Sequence, residues 1–191
     1  MLRLGGAGAV VALMAVLMSP ATQAAEYWYP TEGGEATWAF EDLWPNKGDY
    51  DFNDLVVRYR LHAYGATDGY VSQMNVRMRF VARGASKASG FAISVGMLDV
   101  MPAGVSATLG CEDTPLAANL ADGVSFVVLD DTTSVLAAPE GCAFSNTDTE
   151  CAGQSGTEVL LKLYFDPPVL WADLAARLNP FLFRAADPSH E

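Results

Sequence analysis

Leu55-Val56-Val57-Arg58-Tyr59-Arg60-Leu61-His62-Ala63-Tyr64 alternates: Val57, Tyr59, Leu61 and Ala63 fall on one side, Arg58, Arg60 and His62 on the other. A period of two sustained this long marks a β-strand with one face in a core and the other in water. The turn-forming stretch Gly65-Ala66-Thr67-Asp68-Gly69 follows, and a second alternating run occupies residues 70–83. There Met74, Val76, Met78, Phe80 and Ala82 take the inward side, while Asn75, Arg77, Arg79 and Arg83 take the outward side. Two such runs around a Gly-bounded turn predict a long β-hairpin.

Working outward, strands are expected at residues 36–43, 90–95, 105–109, 124–130 and 157–165. In the last, Val159, Leu161, Leu163 and Phe165 point inward. The connections are rich in Gly, Pro, Asp and Thr, and only residues 171–178, just before Asn179-Pro180, have helical character. Many short strands with frequent turn signals predict an all-β protein: a jelly-roll-like β-sandwich of antiparallel strands with one short C-terminal helix.

The 191 residues suffice for one domain with a real core. A composition 51% hydrophobic and 18% charged is globular rather than disordered. Residues 1–24 read as a secretory signal peptide: Arg3, an uncharged apolar run from Leu4 to Met18, the break Ser19-Pro20, then small residues Thr22 and Ala24 ahead of a cut near Ala24. The apolar run is shorter than the ~20 residues a membrane-spanning helix needs. No cysteine stands near the cut, which argues against a lipid anchor. Residues 25–191 are thus expected to be a single exported domain, periplasmic, outer-surface or secreted, with no transmembrane segment.

The net charge is −12, and removing the signal takes away Arg3 and no acid. So acidic a chain does not seek nucleic acid and is repelled by anionic membrane surfaces, but it attracts divalent cations. The densest acids lie just upstream of the hairpin, where Glu41, Asp42, Asp49, Asp51, Asn53 and Asp54 bring oxygen donors into one short stretch. Hard cations such as calcium take oxygen ligands from loops of this kind. Asp49, Asp51 and Asn53 alternate, so an extended backbone would place them on one face, with Tyr50 and Phe52 turned to the core. Crowded carboxylates repel one another unless a cation sits among them. The spacing is not that of an EF-hand: counting from Asp49, the sixth position is Asp54 rather than Gly, and the twelfth is Arg60 rather than Glu. A calcium ion here is expected to use Asp49, Asp51 and Asn53, with Asp54 and Glu41 of the preceding strand next. The competing reading is a solvated acidic loop held by Asn and Asp turns.

Phe40-Glu41-Asp42-Leu43-Trp44-Pro45, followed by Gly48-Asp49-Tyr50-Asp51-Phe52-Asn53-Asp54-Leu55-Val56-Val57, resembles the signature of the LruC domain family of bacterial exported proteins. The likeness continues through Gly90-Phe91, Asp130-Asp131, Asn146-Thr147-Asp148 and Asn179-Pro180-Phe181-Leu182-Phe183. The resemblance implies an exported or surface β-rich domain with no demonstrated reaction. It also implies a truncated end, since related domains continue into a His-containing, Pro-rich stretch where this chain stops at Ser189-His190-Glu191.

An exported chain permits a disulfide. Cys142 and Cys151 are the nearest pair, flanking a polar loop, and Cys111 with either one stays open. The spacing fits no zinc motif, and the only histidines are His62 and His190. Six of the eleven basic residues fall between Arg58 and Lys87. The outward arginines of the hairpin offer a stripe for an anionic polysaccharide or surface partner. The weightier reading is ion pairing with acidic neighbours, which offsets like charges facing across strands. Among the aromatics that crowd residues 27–44, Trp38 alternates with Ala36 and Phe40 and is expected to be buried. Trp44, beside Pro45, is the better candidate for stacking on a sugar. No phosphate loop or nucleophile elbow accompanies His62, and closely spaced acids serve better as ligands than as a glycosidase pair.

The function expected from the residues is therefore non-enzymatic: an exported, calcium-stabilised β-domain with a structural, adhesive or binding role, its partners polysaccharide or surface proteins. The alternative is a carbohydrate-binding module using Trp44, Arg58, Arg60, Arg77 and Arg79, with a glycosidase less favoured still.

Overall fold

The hairpin forms where the alternation places it. The computed structural model describes residues 25–41, 51–67, 69–85, 89–95, 101–109, 112–116, 124–154 and 156–184. In it β1 covers Ala25–Tyr29, β2 Ala36–Phe40, β3 Leu55–Thr67 and β4 Tyr70–Ala82. β3 and β4 pair antiparallel, and β3 runs on to Thr67, so the turn is tighter than the sequence predicts. Val57, Ala63, Met74, Val76, Met78 and Phe80 are fully buried on the inward side.

On one side β4 pairs with β9 (Glu158–Leu170), β9 with β6 (Gly104–Leu109) and β6 with β7 (Glu112–Leu116). On the other side β1 and β2 lie end to end along β3, β1 against residues 61–65 and β2 against 55–59. These seven strands make the larger sheet. A smaller sheet has the order β10 (Asn179–Arg184), β5 (Ser89–Ser94), β8 (Ser125–Leu129). Every pairing is antiparallel, and the two sheets form a β-sandwich.

Phe91 of β5 joins the sheets. Its ring meets Phe80 edge-on at 5.5 Å and Phe40 edge-on at 5.9 Å, with Trp38 at 6.4 Å. Burying such a side chain contributes about 1.5–3 kcal/mol. A second, smaller apolar cluster unites Ala92, Val127 and Phe183.

β9 passes the expected end at Phe165 and re-pairs with β4 through Val169 and Leu170. A register break between Val71 and Gln73 absorbs Asp166-Pro167-Pro168, as prolines that cannot donate to a ladder require. The helix α1 (Trp171–Arg177) has the Ala- and Leu-rich composition of a helix former, an acid in its first turn and Arg177 in its last. It stops before Asn179-Pro180, because the residue preceding a proline is pushed out of the helical region.

One hydrogen bond seats α1 on the hairpin, Trp171 N–H donating to Gly69 O (2.9 Å); Gly69 N–H in turn donates to the hydroxyl of Tyr27 in β1 (2.6 Å), whose ring stacks on Trp171. A disulfide joins Cys142 to Cys151. Cys111, His190 and the expected signal segment 1–24 lie outside the described residues. Among the described residues, no helix is long and apolar enough to cross a membrane.

Candidate functional site

The last pair of the β2–β3 ladder is Phe40 with Leu55, so Glu41 leaves β2 where Asp54 enters β3. The two acids stand at the same end of the ladder, and Glu41 Oε2 is shielded from solvent. Ahead of them Asp51 and Asn53 interlock. The Asn53 side-chain amide donates to Asp51 Oδ2, and the Asn53 backbone N–H donates to Asp51 Oδ1 at 3.3 Å. Backbone bonds staple this turn to the far end of the hairpin: Gly84 N–H donates to Asn53 O (2.9 Å), and Ala85 N–H to Asp54 O (3.2 Å). Gly84 packs closely on this turn: a Cβ there would stand 2.1 Å from Asn53 Oδ1 and would push that side chain aside.

Phe52 corrects the expected geometry. It is 47% exposed rather than packed behind the acids, and its φ is 53°. That left-handed backbone breaks the extended run, so strict alternation does not carry through to Asn53. Asp42, Trp44, Asp49 and Tyr50 lie outside the described residues. Among the described residues, no three His, Cys, Asp or Glu side chains are grouped to hold a metal. Glu41, Asp51, Asn53 and Asp54 nevertheless supply the oxygen chemistry calcium takes. Asn53 would join Asp51 on an ion by turning its amide oxygen away from Gly84.

The arginines of the hairpin are met by partners. Arg58 faces Arg79 and Arg60 faces Arg77 across the strands. Arg79 Nη2 donates to both oxygens of Glu35 (2.9 and 2.8 Å), and Arg58 Nη1 lies 3.9 Å from the same carboxylate. Arg77 Nη1 donates to Glu158 at 2.6 Å. The Arg60 guanidinium sits 5.3 Å from the Trp28 ring centre, a cation–π contact.

Arg83 departs from the outward placement its parity predicts. It is only 7% exposed, and its guanidinium donates to Leu136 O and Ala85 O, each at 3.2 Å. β4 has ended at Ala82, and Arg83 pairs instead with Ser145, so the face of β4 no longer dictates its direction.

His62, on the same face as the arginines, stacks on Trp28 with ring centres 3.5 Å apart. Its Nε2 lies 3.0 Å from Glu26 and its Nδ1 2.9 Å from the Tyr64 hydroxyl.

A different feature opens on the inner side, at the seam where β1 and β2 meet along β3. Trp38 and Tyr59 stack with ring centres 3.6 Å apart, and Tyr29 lies 6.1 Å from Tyr59. These rings and Leu61 form one wall of a cleft of about 380 Å³; Ala172, Ala175 and Ala176 of α1, with Leu178, form the other. Burial pushes the Tyr59 phenol up to about 12, and the neighbouring Tyr29 adds to the effect. Trp38, expected to be buried, is only half-buried here, and nothing local in the sequence points to the cleft. Tyr59 and the helix reach it from distant parts of the chain, and only their packing makes it.

The class these features define is an antiparallel β-sandwich with an acidic strand junction and an aromatic cleft. A family model described as a domain of unknown function (DUF4842) matches residues 69–191, and the chain belongs to that family. The acidic junction lies upstream of the matched residues. Among solved structures, the chain is similar to a Bacteroides ovatus protein assigned as a lipoprotein, with a TM-score of 0.51 and 16% identity. The match covers 84% of this chain and 54% of the other, so this chain spans about half the length of that protein. At that identity the likeness is one of fold. No curated protein matches the sequence.

Proposed function

We propose that this protein is an exported domain of the cell envelope or its exterior, stabilised by calcium at the β2–β3 junction, with a structural, adhesive or binding role and no catalytic one. The observation that carries it is the pairing of Phe40 with Leu55, which sets Glu41 beside Asp54 just after the Asp51–Asn53 turn. An ion there would relieve carboxylate repulsion and tie β2 to the hairpin. Export is supported by the signal-like first 24 residues, by the resemblance to the LruC signature and by the lipoprotein assignment of the structural neighbour. The alternative, saccharide binding through Trp44 and the arginines, has less support, because Arg58, Arg77 and Arg79 already hold Glu35 and Glu158.

The test is a thermal melt titrated with calcium. The melting temperature should rise with calcium, fall back with chelator, and respond little in Asp51→Ala. A melt indifferent to both calcium and chelator would sink the metal assignment.

A further inference from the structure

We infer that the cleft between α1 and the β1–β2 seam is a binding site for a neutral saccharide, stacked on Tyr29 at its rim. It rests on the binding role proposed above but not on the calcium. Four observations carry it.

First, among the described residues no carboxylate, arginine, lysine or histidine lines the cleft, in a chain of net charge −12. A charged ligand would lose its hydration there without gaining a counter-charge. Second, the wall is built of ring faces, and Tyr29, 44% exposed, stands at the rim. A pyranose ring presents C–H faces to aromatic faces and hydroxyls at its edge, which suits amphipathic tyrosines better than an aliphatic chain would. Third, Tyr29 lies over Tyr59, which is itself stacked on Trp38, so the rim ring is backed by a column of packed aromatic rings. Fourth, the space exists because α1 presents alanines at 172, 175 and 176, where a larger side chain would fill it. The volume of about 380 Å³ falls within the roughly 300–1,000 Å³ typical of small-molecule sites.

Calorimetry and tryptophan fluorescence on residues 25–191 test it. The probes are neutral hexasaccharides of glucose (α-1,4 and β-1,4), xylose, mannose and N-acetylglucosamine, with polygalacturonate and oleate as charged and aliphatic controls. At least one neutral series should bind. Tyr29→Ala should weaken it by about tenfold or more, and Ala176→Phe, which plugs the cleft from an exposed helix position, should abolish it. Both variants should keep the parent melting temperature, and Arg58→Ala and Arg77→Ala should bind like the parent. Failure of every neutral probe, binding that survives Ala176→Phe, or preferential binding of oleate or polygalacturonate would overturn the inference. Repeating the titration with chelator separates the two proposals. Saccharide binding without any calcium effect on melting removes only the metal, and the converse removes only the saccharide.

Discussion

The ring of Phe183 occupies the space a side chain on Gly90 would need: a Cβ there would stand 2.1 Å from Cζ of the ring. The two residues face each other across the β10–β5 ladder. Gly90→Ala should therefore force Phe183 or the β10 backbone aside, at a cost of about 1–3 kcal/mol. Phe183→Ala alone should cost about 3–5 kcal/mol. In the double variant the clash is absent, so its loss should be smaller than the sum of the two single losses. Urea denaturation of the three variants measures this; strict additivity would contradict the packing.

Glu35 should matter through charge alone. It holds Arg79 with two hydrogen bonds and lies near Arg58, all at exposed positions. Glu35→Gln should lower stability by no more than about 1 kcal/mol, because solvent screens the pairs. The loss should shrink as salt is added. Denaturant midpoints at low and high ionic strength check both statements.

Tyr59 should give the protein an alkaline limb. Its phenol is raised from 10.0 to about 12, first by burial and then by Tyr29. A raised folded pKa means that its contribution is fully present below about pH 10 and is lost as pH rises towards about 12. Unfolding free energy should decline across that window, and Tyr59→Phe should flatten the decline. Denaturation at a series of alkaline pH values reads this directly.

The Cys142–Cys151 bridge closes a short loop, with a sequence separation of 9. Replacing both cysteines by serine should cost about 2–3 kcal/mol through the freed unfolded chain. A melt of the double variant beside the parent supplies the number, and an unchanged midpoint would deny the bridge a stabilising role.

The sandwich was legible because parity is a local property. Residues 55–64 and 74–80 report their faces with no knowledge of neighbours, and the buried set Val57, Met74, Val76, Met78 and Phe80 follows from it. Parity fails wherever the chain leaves its ladder. Phe52 turns outward on a left-handed backbone, and Arg83 turns inward after β4 ends. β7, with Glu112, Asp113 and Pro115, carries almost no strand signal of its own and is held by pairing with β6. The ion pairs were legible as a need, since facing arginines require acids, but which glutamates would meet it depended on register. The aromatic cleft was invisible for a related reason: its walls come from β1, β2, β3 and α1, and no local pattern reveals their meeting.

The end-to-end docking of β1 and β2 bears on how readily this flank of the sheet could take on a further strand. A single long, straight edge strand is an open template for growth by strand addition. Here that edge is cut into two five-residue pieces, parted by a corner containing Pro30, Gly33 and Gly34. A stray chain can register on neither piece for long, and it cannot run continuously across the corner. The division that leaves the cleft open therefore also makes this flank a poor seed for fibrils, and fusing β1 to β2 by deleting the corner should create one.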